Sequence, residues 1–404
     1  MKKPKIRFKG FTDDWEQRKL GEYVSITSGE APLKFEEGTE LYVKVDDLNY
    51  NDKYVVDTQN KVAEHSTVKR VTKGSVVFPK RGAAIMTNKV RILDIDSYMD
   101  TNMMALTSER LDSEFLYNII SKEGLYKIAD TSTIPQINNK HIEPYEVKIP
   151  SLDEQRRIGV YFKQLDQKIT LHQRECEQLK TFKKYMLQNM FPENGEKVPK
   201  IRFKGFTDDW EQRKFGDLAV YKKGPFGSSL KKDVFVPRGN TTVKVYEQQN
   251  AINKDWTLER YFITKDYAKK LSSFIVKPGE IIVSCAGTIG EIYELPSNAE
   301  YGIINQALMK IRVEESLIQK RIFIILFSNM IDEFTRTHSN GSAIKNIPPF
   351  GDLKPKKVLV PLLEKEQEKI GTFFSTLDNL ITLHQRKCEQ LKKLKKYMLQ
   401  NMFI

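Results

Sequence analysis

The sequence predicts an α+β protein in which two globular domains are joined by a long antiparallel two-helix coiled coil, with a pseudo-twofold internal repeat. A sixteen-residue segment, PKIRFKGFTDDWEQRK, occurs at positions 4–19 and again without change at 199–214. Residues 154–191 and 366–403 agree at 27 of 38 positions. The stretches between these pieces show no such match, so the chain repeats a frame and varies two inserts.

The ends of the repeated segments divide the 404 residues into six predicted segments. Each of the two inserts is long enough for a hydrophobic core of its own. The segments are an N-terminal repeat segment (1–19), a first insert (20–150), a first long helix (151–191), a linker with the second copy of the repeat segment (192–214), a second insert (215–361) and a second long helix (362–404).

Each copy of the repeat segment offers three aromatic anchors. They are Phe8, Phe11 and Trp15 in the first copy and Phe203, Phe206 and Trp210 in the second. The second copy follows the first long helix, so a pseudo-dyad places the first copy beside the end of the second long helix. We therefore expect the N- and C-terminal segments to be neighbours. The segment either packs locally against the start of a domain or docks a partner subunit.

Each insert mixes short β-rich runs with turn residues, which is typical of an α+β domain. The predicted strands are 41–45, 75–79 and 90–95 in the first insert and 241–246, 280–287 and 307–313 in the second. A helix is predicted near 114–128 and another near 317–335. This alternation is too broken for a doubly wound sheet.

Each long helix carries an apolar seam with steps of four and three residues, the heptad pattern of a coiled coil. A helix of about 38 residues is about 57 Å long and cannot bury this seam alone. We expect the two helices to pair, and to run antiparallel because a perpendicular dyad relates the two halves. Packing of each helix on its own domain, or on another chain, is the alternative. The predicted seam is Ile158, Phe162, Leu165, Ile169, His172, Cys176 and Leu179, with Ile370, Phe374, Leu377, Ile381, His384, Cys388 and Leu391.

The chain has 66 Lys and Arg against 53 Asp and Glu, a formal net charge of +13. This surplus favours a polyanionic partner such as nucleic acid, although a basic protein without one has the same balance. Three cysteines without a CxxC spacing indicate reduced thiols. The basic N-terminus lacks the apolar core of a signal peptide, and the longest apolar run, 322–327, is too short to cross a membrane. We expect a cytoplasmic protein without membrane contact.

Polar, Gly/Ser-rich or basic loops in both inserts supply the predicted DNA contacts. Lys and Arg bind phosphate, while Asn, Gln, Ser, Arg and Lys can read base edges in the major groove. A solvated turn is the alternative for any single loop. The candidates are Lys80, Arg81, Thr133, Gln136, Asn138 and Lys140 in the first insert, and Lys222, Lys223, Ser228, Ser229, Lys231, Lys232, Ser342, Lys345 and Asn346 in the second.

The sequence predicts no catalytic residue. The run NIPPF at 346–350 resembles the Asn-Pro-Pro-aromatic box of amino-methyltransferases but carries an extra isoleucine. A GxxxxGK[ST] nucleotide loop does not occur, and GTIG at 287–290 is interpreted as a turn. A stand-alone methyltransferase or nuclease, and a coiled-coil protein adaptor, are the alternative functions.

His172, Cys176, His384 and Cys388 are possible zinc ligands within the seam. All four converge only if the helices run parallel. In an antiparallel pair the two histidines meet near the midpoint, and each cysteine lies about 6 Å away in opposite directions. We therefore predict no metal and interpret these residues as polar seam positions that fix the register.

The sixteen-residue segment, residues 149–169 and 360–381, and the alternation of constant and variable segments resemble the DNA-specificity subunit of type I restriction–modification systems. The resemblance covers the whole chain. It is strongest where Pro-x-x-x-Glu-Gln (150–155), or its longer form (361–367), precedes a helix with Leu-Asp at 165–166 and 377–378. YKKGPFGSSLKK (221–232) resembles the opening of a target-recognition domain, whereas SITSGEAPLKF (25–35) lacks the Gly-Pro-Phe-Gly run.

The resemblance implies that each insert is a target-recognition domain reading one half of a split double-stranded DNA sequence, and that the helix pair sets the spacer. It also implies two modification (methyltransferase) subunits and restriction (translocase and nuclease) subunits as partners. The specificity subunit itself would be non-catalytic and hold no cofactor. S-adenosylmethionine, ATP and Mg²⁺ are expected on the partner subunits.

Overall fold

The computed structural model describes residues 3–50, 52–130, 134–193, 195–338 and 347–404. The chain divides into two compact units, Met1–Glu177 with Leu383–Ile404, and Gln178–Thr382. Each unit contains one insert, one copy of the repeat segment and part of both long helices. In the described part of the chain, no helix combines the length and the apolar character that crossing a membrane requires.

The insert of the first unit is built on two sheets. The strands are β1 (Glu16–Lys19), β2 (Ser25–Ser28), β3 (Glu40–Val43), β4 (Tyr54–Val55), β5 (Lys61–Val62), β6 (Val76–Pro79), β7 (Arg91–Leu93), β8 (Tyr98–Met99), β9 (Met103–Thr107) and β10 (Glu146–Ile149). The helices are α1 (Asp47–Tyr50), α2 (Ser113–Glu123), α3 (Asn139–Ile142) and α4 (Leu152–Asn189), the first long helix. The larger sheet has the order β2-β9-β6-β7-β4 and the smaller one β5-β3-β8, while β1 pairs with β10.

The insert of the second unit has the same plan. The strands are β11 (Glu211–Lys214), β12 (Ala219–Lys223), β13 (Thr242–Tyr246), β14 (Tyr261–Thr264), β15 (Ile275–Val276), β16 (Ile281–Ser284), β17 (Ile292–Glu294), β18 (Gly302–Ile304), β19 (Leu308–Val313) and β20 (Lys357–Val360). The helices are α5 (Phe215–Leu218), α6 (Gln248–Ile252), α7 (Lys265–Lys270), α8 (Lys320–His338), α9 (Phe350–Leu353) and α10 (Glu364–Met402), the second long helix. The sheets are β12-β19-β16-β17 and β14-β13-β18-β15, and β11 pairs with β20.

The two inserts therefore share one topology although their sequences do not match. The order β2-β9-β6-β7 corresponds to β12-β19-β16-β17, and the parallel pair β3–β8 corresponds to β13–β18. The sheets differ in an edge strand, since β4 extends the β2-β9-β6-β7 sheet of the first insert and β15 extends the β14-β13-β18 sheet of the second. Each insert is a two-sheet α+β domain, which confirms the predicted fold class.

In each insert, a central strand is buried on both faces: its side chains alternate between the faces, and each face packs against a different element. In the first unit, Val76 and Phe78 belong to the core cluster that contains Phe115 of α2. Val77, on the other face, belongs to the cluster of Val43 from the smaller sheet. The second unit repeats this arrangement with the strand β16 between helix α8 and the strand β13.

The predicted elements of the inserts are present, but several of them have different ends. The helix predicted at 114–128 ends at Glu123, because Gly124 adopts a φ of 81° that stops α2, and Leu125–Lys127 form a separate 3-10 turn. The helix predicted at 317–335 runs from Lys320 to His338. The strand predicted at 280–287 ends at Ser284, and the one predicted at 90–95 is limited to Arg91–Leu93.

The long helices run antiparallel within each unit. In the first unit Lys395 Nζ lies 2.5 Å from Asp166 Oδ1. In the second unit Lys183 Nζ lies 2.6 Å from Asp378 Oδ1. As the residue number rises along the first long helix, the number of the partner residue on the second falls. This confirms the antiparallel prediction.

The apolar seam is buried along both helices, except near its polar positions. His172, Leu179 and His384 are partly exposed. The seam residues that are buried are Ile158, Phe162, Leu165, Ile169, Cys176, Ile370, Phe374, Leu377, Ile381, Cys388 and Leu391.

The Glu-Gln pair at the start of each long helix holds three segments together. In the first unit the buried Glu154 carboxylate accepts two hydrogen bonds from the Arg7 guanidinium, both 2.7 Å long. This bond raises the pKa of Arg7 above its ordinary value. Gln155 Oε1 accepts from the backbone N–H of Asp112, and Gln155 Nε2 donates to the Pro150 carbonyl. The helix start is thereby tied to the repeat segment and to the insert.

The second unit makes the same contacts with equivalent residues. Arg202 donates to Glu366 at 2.6 and 2.9 Å, and Trp210 Nε1 lies 3.4 Å from the same carboxylate. Gln367 accepts from the backbone N–H of Gln319 and donates to the carbonyl of Pro361.

Both copies of the repeat segment also contact the end of a long helix. Ile6 N–H donates to the Asn401 carbonyl at 2.9 Å, and Ile201 N–H donates to the Asn189 carbonyl at 2.8 Å. The expectation that the N- and C-terminal segments are neighbours is therefore confirmed. Trp15 and Trp210 are buried, whereas Phe8, Phe11, Phe203 and Phe206 are partly exposed. These contacts establish local packing, and docking of a partner on the segment stays a prediction.

Candidate nucleic-acid interface

Backbone hydrogen bonds join several loops at one end of the sheets in the first insert. Gly29 N–H donates to the Met103 carbonyl, and Lys80 N–H donates to the Asn102 carbonyl at 2.8 Å. The Lys80 carbonyl accepts from Ile137 N–H, also at 2.8 Å. We call residues 29–34, 80–82, 100–102 and 134–138 the first loop cluster.

The same bonds recur in the second insert with different residues. Gly224 N–H donates to the Leu308 carbonyl, and Cys285 N–H donates to the Ala307 carbonyl. The Cys285 carbonyl accepts from Ile347 N–H at 3.1 Å. Residues 224–232, 285–290, 305–307 and 347–349, with Gln248, form the second loop cluster. Unrelated sequences thus build one loop arrangement.

A glycine is required at the entrance to both clusters. A Cβ atom on Gly29 would lie 2.0 Å from the Asp100 carbonyl oxygen, and one on Gly224 would lie 1.8 Å from the Asn305 carbonyl oxygen. Residues 25–35 lack the Gly-Pro-Phe-Gly sequence. In the structure, however, Gly29 takes the place that Gly224, the first glycine of that sequence, has in the second insert. Each glycine is followed by a short 3-10 turn, at Pro32–Lys34 and Gly227–Ser229.

Leu33 within the first turn and Phe226 directly before the second expose large apolar side chains to solvent. Leu33 is 98% exposed and Phe226 is 87% exposed. Single exposed apolar side chains are common on protein surfaces, so it is their place in the loop clusters that makes Leu33 and Phe226 candidates for contact.

The first loop cluster brings four of the predicted residues together. Arg81 and Gln136 form an isolated β-bridge, and Gln136 Nε2 donates to Asn138 Oδ1 at 3.1 Å. Burial lowers the pKa of Lys80, and the neighbouring Arg81 lowers it further, while two carboxylates oppose the shift. A phosphate beside Lys80 would offset this desolvation. Lys140 lies exposed on α3, and Thr133 lies outside the described residues.

In the second insert the predicted basic residues lie along the entrance segment. Lys222, Lys223, Lys231 and Lys232 are exposed, and Lys222 Nζ lies 5.0 Å from the centre of the Phe274 ring. Ser228 is exposed and Ser229 is partly exposed within the 3-10 turn. The remaining predicted residues, Ser342, Lys345 and Asn346, lie outside the described residues.

Sequence reasoning missed polar residues of the second loop cluster. Gln248 Nε2 donates to the Ala286 carbonyl and, at 3.1 Å, to the Thr288 carbonyl. Gln306 Nε2 lies beside Gly227, 4.0 Å from where a Cβ would stand. The signal was the GTIG turn, because two glycines with positive φ directly after a strand mark a tightly folded loop.

The charge is distributed unevenly between the inserts. Residues 20–150 contain 16 Lys and Arg against 20 Asp and Glu, whereas residues 215–361 contain 21 against 15. The surplus of +13 therefore comes from the second insert and the repeated frame. In the first insert only local clusters, such as Lys80 with Arg81, can supply cations for phosphate.

Away from the loop clusters, one group among the described residues brings three metal-ligating side chains together. These are His172, Glu175 and His384 in the first unit. His172 Nδ1 lies 3.2 Å from His384 Nδ1, which confirms the predicted meeting of the two histidines. Cys176 and Cys388 are buried, and their thiols are not in this group.

Comparison with known proteins identifies relatives over nearly the whole chain. The MjaVIII specificity subunit of a type I restriction enzyme from Methanocaldococcus jannaschii is 22% identical over 406 residues, spanning 95% of this chain and 91% of the relative. The crystal structure of a type I restriction–modification S subunit from M. genitalium superposes with a TM-score of 0.63 at 13% identity, covering 100% and 99% of the two chains.

A second solved structure, from work on complex assembly and conformational transition of the type I R-M system, has a TM-score of 0.54 and is 16% identical, covering 97% and 98%. These structural likenesses concern the fold. The family model of the type I restriction modification DNA specificity domain matches residues 12–181 and again 207–393. Since the two matches cover most of the chain, the protein belongs to the family of type I restriction–modification DNA-specificity subunits.

Proposed function

We propose that the two inserts of this non-catalytic specificity subunit each read one half of a split DNA sequence through their loop clusters. The observation that carries the proposal is the shared loop arrangement. Two inserts without sequence match fold alike and make equivalent backbone bonds at Lys80 and Cys285, yet present different side chains on the loops. A common scaffold with different exposed side chains is what two readers of different sequences need.

The side chains of the clusters divide by chemistry into two groups. Exposed lysines, such as Lys231 and Lys232, suit phosphate contacts that position the domain. The amides of Gln136, Asn138 and Gln248 suit base edges, because an amide can pair with adenine in the major groove. Leu33 and Phe226 offer apolar surface to a thymine methyl group or a base step.

The long helices are proposed to set the spacer between the half-sites and to carry partner subunits. Exposed apolar residues recur at equivalent positions of the repeat, as Leu171 with Leu383 and Tyr185 with Tyr397. Equivalent surfaces support two copies of one partner, which we take to be modification subunits. Restriction subunits would join this core. On this proposal S-adenosylmethionine, ATP and Mg²⁺ belong to the partners.

Mapping of methylated adenines in cells with and without the chain tests the proposal. A split motif should disappear on deletion and return with the wild-type chain. Complementation with Gln248→Ala should relax or lose recognition in one half only, and Gln136→Ala should do so in the other. Glu389→Gln, an exposed change on the second long helix, is the control and should restore the full motif.

Three outcomes would contradict the proposal. Loss of both halves together in either glutamine variant would mean that the inserts do not read independently. Methyl transfer or DNA cleavage by the purified chain without a partner would instead support a stand-alone enzyme. DNA affinity that does not fall as salt rises would favour a protein adaptor.

A further inference from the structure

We propose that His172, Glu175 and His384 bind one divalent transition-metal ion, with zinc the best match, and that this ion ties the two long helices together within the first unit. His172 and Glu175 lie one turn apart on α4, and His384 lies on α10. The site thus takes ligands from both helices.

The three ligand atoms form a triangle close in size to one face of a tetrahedral zinc site, with two edges shorter than in the bound form. His384 Nδ1 lies 2.8 Å from Glu175 Oε2, and His172 Nδ1 lies 3.5 Å from the same oxygen. The two Nδ1 atoms are 3.2 Å apart. Ligands bound to zinc at about 2.0–2.2 Å in a tetrahedron stand about 3.3–3.6 Å from one another. An ion about 1 Å above this triangle would therefore reach all three atoms, with small side-chain adjustments.

The ligand set and its surroundings fit such an ion. Two imidazole nitrogens and one carboxylate oxygen are ligands that zinc uses in proteins, with a water completing the tetrahedron. The side chains of His172, Glu175 and His384 are 24%, 38% and 18% exposed. This exposure lets an ion enter from solvent and leaves one position to water. The buried part of each imidazole is packed firmly enough to hold the ring in place.

The internal repeat shows that the carboxylate is specific to one helix. Residues 171–180 read LHQRECEQLK and residues 383–392 read LHQRKCEQLK. The two stretches differ at a single position, where Glu175 on the first helix corresponds to Lys387 on the second. A perfect repeat with lysine at both positions would leave two histidines facing each other without an anionic ligand. The one difference therefore supplies the third ligand.

The proposed ligands differ from the zinc ligands that the sequence suggests. Sequence reasoning considered two histidines and two cysteines and found that an antiparallel pair separates them. The structure agrees for the thiols, because Cys176 and Cys388 are not in the group. Glu175 takes their place, and a carboxylate on a charged helix face does not stand out in a sequence.

The test is a titration of the purified full chain with Zn²⁺ after treatment with a chelator. Calorimetry should give one ion per chain, and Co²⁺ at the same stoichiometry should give the strong visible absorption of a tetrahedral site. Loss of a residue that only orients a ligand lowers metal affinity about 10–100-fold, so Glu175→Lys and His384→Asn should each lower it by at least about 100-fold. Glu389→Gln and His65→Asn are matched controls that should leave the affinity unchanged.

Glu175→Lys also addresses folding, because it makes the two ten-residue stretches identical and so introduces a helix sequence that the chain already uses. Its circular dichroism should match that of wild type without metal, and Zn²⁺ should raise the melting temperature of wild type only. Absence of stoichiometric binding, or undiminished binding by Glu175→Lys or His384→Asn, would overturn the proposal. The histidines and Glu175 would then be a hydrogen-bonded group that fixes helix register.

Discussion

Replacing Glu366 with glutamine tests whether the Arg–Glu contact holds the repeat segment to the start of the second long helix. Glu366 is 1% exposed and Arg202 is 13% exposed at their side chains. The carboxylate accepts two charge-assisted hydrogen bonds, at 2.6 and 2.9 Å, and lies near Trp210 Nε1 at 3.4 Å. Glutamine keeps the shape and one acceptor but removes the charge and places an amide donor opposite a guanidinium donor.

The magnitude follows from burial. Breaking a buried ion pair by removing one partner costs about 3–5 kcal/mol, because the remaining charge stays buried without compensation. Here the Arg202 head retains some solvent contact and one hydrogen bond to the glutamine oxygen. The expected loss is therefore ~2–4 kcal/mol of unfolding free energy. Glu154→Gln, the equivalent change in the first unit, should cost slightly less, because Glu154 holds Arg7 without a tryptophan donor beside it.

Urea unfolding followed by circular dichroism measures both variants. A double-mutant cycle with Arg202→Met separates the interaction between the two side chains from the cost of each single change, and a coupling of at least ~1.5 kcal/mol is expected. Losses below ~1 kcal/mol in both single variants, or a coupling near zero, would refute the reasoning. The pair would then behave as an ordinary surface ion pair.

Further changes test the loop clusters and the helix pair. Phe226→Ala should lower affinity for DNA about tenfold at one half-site, as measured by fluorescence anisotropy with each half-site altered in turn, and unfolding free energy should change by less than ~0.5 kcal/mol. Leu33→Ala should do the same at the other half-site. Gly224→Ala should cost ~3 kcal/mol or more, because its Cβ cannot stand 1.8 Å from a carbonyl oxygen, whereas Gly351→Ala, with open space around it, should change stability by less than ~1 kcal/mol. Lys395→Ala should cost ~1–2 kcal/mol in urea unfolding, since it removes a partly buried cross-helix ion pair.

The frame of the molecule could be predicted because its signals repeat. A heptad seam present twice in one chain predicts two helices that pair, and the repeat predicts their direction. The burial of the seam residues Ile158 and Ile370 follows from that reasoning, and the ion pairs at Asp166 and Asp378 show the predicted direction. The exact helix starts, Leu152 and Glu364, depend on local hydrogen bonds that a pattern does not contain.

The common topology of the inserts could not be predicted, because the equivalent contacts of the two inserts are made by backbone groups and leave no common sequence. Lys80 and Cys285 make the same two bonds through their N–H and carbonyl groups, and their side chains have nothing in common. Short strands such as β4 and β8 contain two residues each and give no period to detect. Apolar runs such as 75–79 were detected because both faces of the strand are buried.

The contacts that assemble the frame are distinct from those that hold the inserts. The bonds that assemble the frame, Arg7 with Glu154 and Asp166 with Lys395, join frame residues to each other. Where the frame holds an insert, Gln155 accepts from a backbone N–H, which any residue except proline supplies. Gln367 does the same in the second unit.

Side chains also join the frame to the insert in the first unit, as where Phe115 packs against Trp15 and Phe403, and one such contact is an ion pair. Lys53, a side chain of the first insert, lies 2.5 Å from Glu114 and 2.9 Å from Asp166 of the frame. Burial lowers the pKa of Lys53, but the two carboxylates outweigh it, so the pKa is raised and the amine stays charged. An insert without this lysine leaves Asp166 to Lys395, which already pairs with it. An insert with another residue at position 53 therefore does not strand the charge of Asp166.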